Sequence, residues 1–161
     1  MLPISPIQFT EIIAQVGFAL WQIQILESTL VCHLVLVHKV TPNMAGEEIE
    51  TMFLAVGKRT MGGLLEGIRN KSDPSFPIKR LDAFRDQRNW LVHHSRHQNH
   101  TDLYSDATRS QLSERLEQIA DEALALMKIV QQATETQLAA QGLSKEEIDT
   151  RAKKIMNEWI K

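Results

Sequence analysis

From Gln8 to about Lys39, apolar residues recur at helical spacing through Ile12, Ile13, Val16, Phe18, Leu20, Ile23, Leu26 and Leu30, with no proline to interrupt them. That period predicts one continuous helix, about 45 Å long at 1.5 Å rise per residue. A helix of this length needs a partner of similar length to cover its apolar side. The run Ala107 to Ala140 supplies one, with Leu112, Leu116, Ile119, Leu124, Met127, Ile129 and Val130 expected to face inward. Gly17 interrupts the first run at a cost of about 1 kcal/mol against Ala, which marks a close helix crossing. Pro42 ends it.

Shorter pieces lie between the two long runs. Glu47 to Val56 carries acids in its first turn, where they complement the helix dipole. Gly57 reads as the residue just past its end. Thr60 caps a glycine-rich helix from Met61 to Arg69 that tertiary packing must hold together. The segment Asn70 to Pro77 is a loop and delivers a helix from Ile78 to about His97. After Ala140, Ser144 and Glu147 form a capping box for a last helix to Trp159, with Ile148, Ile155, Trp159 and Ile160 as its apolar stripe. The expected class is all-α: an antiparallel helical bundle of two long helices, one helix rich in ionisable residues and shorter helices, forming a single domain over residues 1–161. A chain of 161 residues buries enough surface to fold without staples.

A formal net charge of −2 argues against a surface that attracts nucleic acid everywhere. The charge is uneven, however. Between Pro77 and His100 five cations (Lys79, Arg80, Arg85, Arg88, Arg96) face two acids (Asp82, Asp86), a local +3 before any of four histidines protonates. This leaves room for a local phosphate-binding patch. Cys32, in an apolar run, reads as a small buried hydrophobe, and its odd count fits a reducing cytoplasm. The N-terminus has no basic leader, and His33, His38 and Lys39 interrupt the run Leu30 to Val40, so the expectation is a soluble cytoplasmic protein with no membrane span.

The stretch Arg85 to Arg96 sets polar groups into an otherwise apolar helix. Leu81, Phe84, Leu91 and Val92 supply its apolar surface, while Arg85, Asn89 and His93 stack four apart on a neighbouring face. Arg88 and His93 are five residues apart, about 140° around an α-helix and 7.5 Å along it. An arginine offers fixed charge and a planar donor fork to a phosphate, and a histidine titrates near neutral pH. RNA carries its own nucleophile in the 2′-hydroxyl, so such a pair suits its cleavage without a metal.

Arg88-Asn89-Trp90-Leu91-Val92-His93 resembles the motif of the HEPN superfamily of small helical proteins, whose ribonuclease members carry an Arg, a polar residue, three mostly apolar residues and a His. Lys58 to Leu65 is similar to the Thr-x-Gly-x-Leu segment that many such domains carry before the motif helix. The resemblance implies an all-α homodimer in which the motifs of two chains share a cleft. It further implies a metal-independent endoribonuclease that acts on RNA in defence or stress response, with a protein antitoxin or regulator as a partner. Arg88 and His93 are then the catalytic candidates, with Asn89, Arg85, His94 and Arg96 in support; no metal or cofactor is expected. Where some toxins of this superfamily have a Tyr two residues after the motif His, this chain has Ser95, a departure from the toxin pattern.

Glu27, on the first long helix, either orients His93, neutralises Arg88 or simply belongs to an exposed stripe with Gln22 and Gln24. His33 and His38 read as packed residues and Trp90 as core. Two other functions stay open. A non-catalytic module of the same fold would bind RNA, a nucleotide or a protein, as the low net charge favours. A metal hydrolase would use His93, His97 and His100 at i, i+4, i+7 with Asp102 nearby, although the sequence has no His-Glu-x-x-His pattern.

Overall fold

The structure is a computed structural model that describes residues 4–41, 43–95, 105–143, 146–147 and 150. The α-helices whose bounds lie among the described residues are, in order, α1 (Pro6–His38), α2 (Gly46–Gly57), α3 (Met61–Arg69), α4 (Ile78–Asn89) and α5 (Asp106–Ala140). A π-helical turn, Trp90–His94, continues α4. No strand occurs among the described residues, and the chain is an all-α bundle.

Local chemistry sets the helix ends. Ser5 Oγ accepts the Gln8 backbone N–H at 3.2 Å while Gln8 Oε1 accepts that of Ser5 at 3.2 Å, a capping box with Pro6 in the first helical position. Thr60 Oγ1 accepts from the Gly63 backbone at 3.2 Å and starts α3 as expected.

The cross-helix contacts fix the directions. Gln15 bonds Ser113 at 2.6 Å, His33 bonds Thr134 at 2.9 Å and Gln141 bonds the Val37 carbonyl at 3.3 Å, so α1 and α5 rise together. Arg80 meets Glu122 and Gln87 meets Arg115, so α4 descends between them. The antiparallel relation thus holds between α4 and its long neighbour α5, whereas the two long helices run side by side in one direction. The chain returns along α4 before it starts α5.

The centre of the core joins Leu26, Leu30 and Leu34 of α1 to Met61, Leu64, Leu65 and Ile68 of α3, Leu81 of α4, and Leu116 and Leu126 of α5, each at most 2 % exposed. Every such side chain contributes roughly 1.5–3 kcal/mol of burial. The close approach expected at Gly17 occurs at Gly67 instead. A Cβ there would sit 3.0 Å from Leu34 Cδ2, whereas one on Gly17 would meet nothing within 4 Å.

Two inward assignments, Ile129 and Cys32, are corrected, and two residues of the first apolar period, Ile13 and Phe18, face outward. Ile129 is exposed, because the row Leu126, Val130, Thr134, Leu138 takes the core side of α5. Phe18 is exposed because Ala19 and Ile23 face the core in that part of α1. Cys32 is exposed on the outer side of the same helix. The outward apolar residues also make α1 long and apolar enough, by length and composition alone, to cross a membrane, with 44 % of the relevant window buried against the other helices. The apolar stripe expected between Ile148 and Ile160 lies outside the described residues.

Candidate functional site

Arg88 follows Phe84 by four residues and precedes Leu91 by three, so it falls on the core-facing stripe of its helix, where Phe84 and Leu91 are buried. A guanidinium at such a position requires a partner. Glu27, on the facing side of α1, provides it: Arg88 Nε donates to Glu27 Oε1 at 3.1 Å, with both side chains about a quarter exposed. Arg88 Nη1 also donates to Asn89 Oδ1 at 3.4 Å. Nη2 has no partner among the described residues. Of the readings open for Glu27, the geometry fits neutralisation of Arg88.

The helix changes pitch immediately after this pair. The Ser95 N–H bonds the Trp90 carbonyl five residues back, and Ser95 Oγ bonds the Leu91 carbonyl at 2.6 Å. The expected continuous α-helix from Ile78 to His97 is therefore corrected to an α-helix that widens into a π turn. Bonding from i to i+5 brings residues five apart toward one face, so Arg88 and His93 are offset by less than the 140° of an unbroken α-helix. The wider turn also lets both Trp90 and Leu91 enter the core.

His93 and His94 emerge from the π turn into solvent, with ring centroids 6.3 Å apart. His93 has no hydrogen bond or ion pair among the described residues. Arg85 is directed elsewhere, toward Asp82 Oδ1 at 3.5 Å and Asp86 Oδ1 at 3.7 Å. The structure thus brings Arg88, Asn89 and Glu27 together and carries His93 and His94 on the adjoining turn, with Arg85 off to one side. Arg96 lies outside the described residues.

The basic patch is smaller than its charge count implies. Arg80 forms two bonds to Glu122 at 2.6 and 2.7 Å, a pairing that holds its pKa above the usual arginine value. Arg85 and Arg88 have the carboxylates just described. Lys79 alone of the described cations in this stretch has no acidic partner.

Trp90 is core, as expected, but its ring has a polar lid. The Arg115 guanidinium carbon lies 3.3 Å from the ring centroid, and Gln87 Oε1 accepts from Arg115 Nε at 3.3 Å and Nη2 at 3.0 Å. Burial against this surface lowers the Arg115 pKa. Sequence reasoning missed Arg115, and no spacing signal links it to a residue 25 positions earlier. A groove of about 920 Å³ runs along this side of α4 between Arg80, Gln87, Arg115 and Glu122. Arg88, Asn89 and His93 do not line it, so this groove is on a different face from the motif.

Among the described residues no group of three His, Cys, Asp or Glu side chains is placed to hold a metal. Of the four proposed ligands His93, His97, His100 and Asp102, only His93 is described. No protein-family model, no curated protein and no solved structure matches the chain.

Proposed function

We propose that the chain is a metal-independent endoribonuclease in which Arg88 and His93 of two copies meet across a shared cleft. The observation that carries this reading is Arg88 itself. It occupies a core-side position, is anchored through Nε by Glu27, keeps Nη2 unpartnered among the described residues, and precedes by one π turn an exposed histidine.

In this reading a neutral imidazole takes the proton from the 2′-hydroxyl as O2′ attacks phosphorus. The P–O5′ bond breaks, and the leaving oxygen collects a proton from the second, protonated imidazole. Arg88 stabilises charge on the non-bridging oxygens, with Asn89 as its neighbouring polar support. Glu27 is a positioning residue: it fixes the guanidinium plane and does not touch the substrate. The products are a 2′,3′-cyclic phosphate and a 5′-hydroxyl.

The experiment is cleavage of a mixed RNA pool in excess chelator, followed by chemical identification of the product ends. Cyclic phosphate and 5′-hydroxyl ends that disappear in both Arg88→Ala and His93→Ala proteins are expected, as is resistance of a substrate carrying 2′-deoxy sugars. Cleavage that survives both substitutions refutes the assignment.

A second reading, a non-catalytic binding module, draws on the neutralisation of Arg80, Arg85 and Arg88 by carboxylates. It predicts saturable binding of RNA, a nucleotide or a protein, without turnover.

A further inference from the structure

The outer side of α1 carries an apolar seam that the fold leaves uncovered. Ala14, Phe18, Trp21, Ile25, Ser28 and Cys32 are spaced alternately four and three apart, and all six are exposed, Trp21 by 66 % and Phe18 by 58 %. Alternating three- and four-residue steps along one helix are the pattern of a seam packed against a second helix. From Ile12 to Val37 only Glu27 carries a full charge. It is tied to Arg88 and projects about 140° around α1 from the seam.

We propose that this face is a homodimer contact in which α1 packs antiparallel against α1 of a second copy. The order of side-chain sizes argues for that occupant and orientation. A twofold axis beside Ile23 sets Trp21 opposite Ile25, Phe18 opposite Ser28 and Ala14 opposite Cys32 of the second copy. In the two outer layers a small side chain closes the space, and each bulky ring meets a smaller partner. Ser28 Oγ already donates to the Gln24 carbonyl at 2.9 Å, so the seam buries no hydroxyl without a partner. With charge absent from its centre, no like charges oppose each other across the axis. The two aromatic rings alone leave on the order of 250 Å² per copy in water. Ile7, Ile25 and the small residues between them carry the face toward the ~800 Å² per partner of a standard interface.

This inference does not rest on the ribonuclease reading. The seam and the Glu27–Arg88 pair lie on different sides of α1, so the contact leaves both motifs outside it. The shared cleft of that reading requires a separate contact, and two twofold contacts on one chain build a closed tetramer or an open chain.

The test uses the full chain. In sedimentation equilibrium the wild type associates, and Trp21→Glu, a substitution at an exposed site, weakens association at least about 100-fold with an unchanged circular dichroism spectrum. Ala14→Cys under catalysed oxidation gives a covalent dimer that Cys32→Ser abolishes, because the introduced thiol faces Cys32 of the second copy. Wild type that stays monomeric at about 100 µM overturns the proposal, as does association indifferent to Trp21→Glu. Direct Cys32-to-Cys32 cross-linking of the wild type overturns the antiparallel register. A monomer that floats with phosphatidylcholine vesicles assigns the seam to a membrane surface and likewise overturns it. A wild type monomeric at that concentration removes the shared cleft as well, whereas association that persists unchanged in Trp21→Glu overturns this contact alone and leaves the ribonuclease reading standing.

Discussion

Acidification should destabilise this fold through His33. The residue is fully buried, and its Nδ1 lies 2.9 Å from Thr134 Oγ1, whose own hydrogen goes to the Val130 carbonyl at 2.7 Å. The ring must therefore donate through Nδ1, which leaves Nε2 as a bare acceptor, and Nε2 has no partner among the described residues. Phe76 stacks on the imidazole at 4.5 Å and His38 meets its edge at 5.2 Å. A proton on Nε2 would have no acceptor there. Burial, reinforced by the neighbouring His38, holds the His33 pKa down to about 4, from 6.5. His38 is itself lowered by burial and by Lys71.

The unfolded chain then binds this proton near pH 6.5 and the folded chain only near pH 4. Between those values the unfolded state holds more protons, so stability falls as pH falls through that window. The gap is worth about 3 kcal/mol, a large part of the 5–15 kcal/mol that holds an ordinary domain together. Urea unfolding followed by circular dichroism at intervals from pH 7.5 to 4.5 measures it. His33→Asn keeps a donor for Thr134 and does not titrate; it should lose about 2 kcal/mol at neutral pH from the missing ring. Its stability should then be flatter than wild type by about 3 kcal/mol across the window. Parallel curves for the two proteins would refute the argument, because other acid-sensitive groups, such as Asp73, are common to both.

Glu27→Gln should cost about 1 kcal/mol in urea unfolding, since its ion pair with Arg88 is only partly exposed, and should lower kcat/KM for RNA about tenfold by releasing the guanidinium plane. Trp90→Ala should destabilise by about 3–5 kcal/mol, while Arg115→Ala, which strips only the lid, should cost about 1 kcal/mol; chemical denaturation of the two variants separates core from cation–π contribution. Gly67→Ala should lower stability by roughly 1 kcal/mol despite its better helix propensity, because Leu34 is 1 % exposed and has nowhere to retreat; a stabilised variant in thermal melts would show that the α1–α3 contact is looser than described.

Much of this architecture was legible in the sequence because it is local. Apolar period marked both long helices, and the Thr60 cap, the loop before Ile78 and the core placement of Trp90 each follow from residues a few positions apart. The failures concern faces and directions. Periodicity locates an apolar stripe but not which of two apolar sides meets the core, so the core placement expected of Cys32 and Ile129 fails and Ile13 and Phe18 face outward. It is also silent on whether α1 and α5 run together or opposed. At the candidate site, the Arg88 and His93 positions were readable, and an arginine between Phe84 and Leu91 on one stripe already asks for a buried partner. That the partner is Glu27, 61 residues away, is a tertiary fact. The π turn leaves no proline or glycine to announce it. It is settled by Trp90 and Leu91 both entering the core.

If Arg88 and His93 cut RNA without a metal, as proposed, the deciding measurement is the cleavage rate of a mixed RNA pool for wild type and His93→Ala, each in excess chelator. Wild-type cleavage should be unchanged by chelator and reduced at least about 100-fold in His93→Ala, the scale of a lost general acid–base. Equal rates for the two proteins, or wild-type cleavage abolished by chelator, would contradict the proposal.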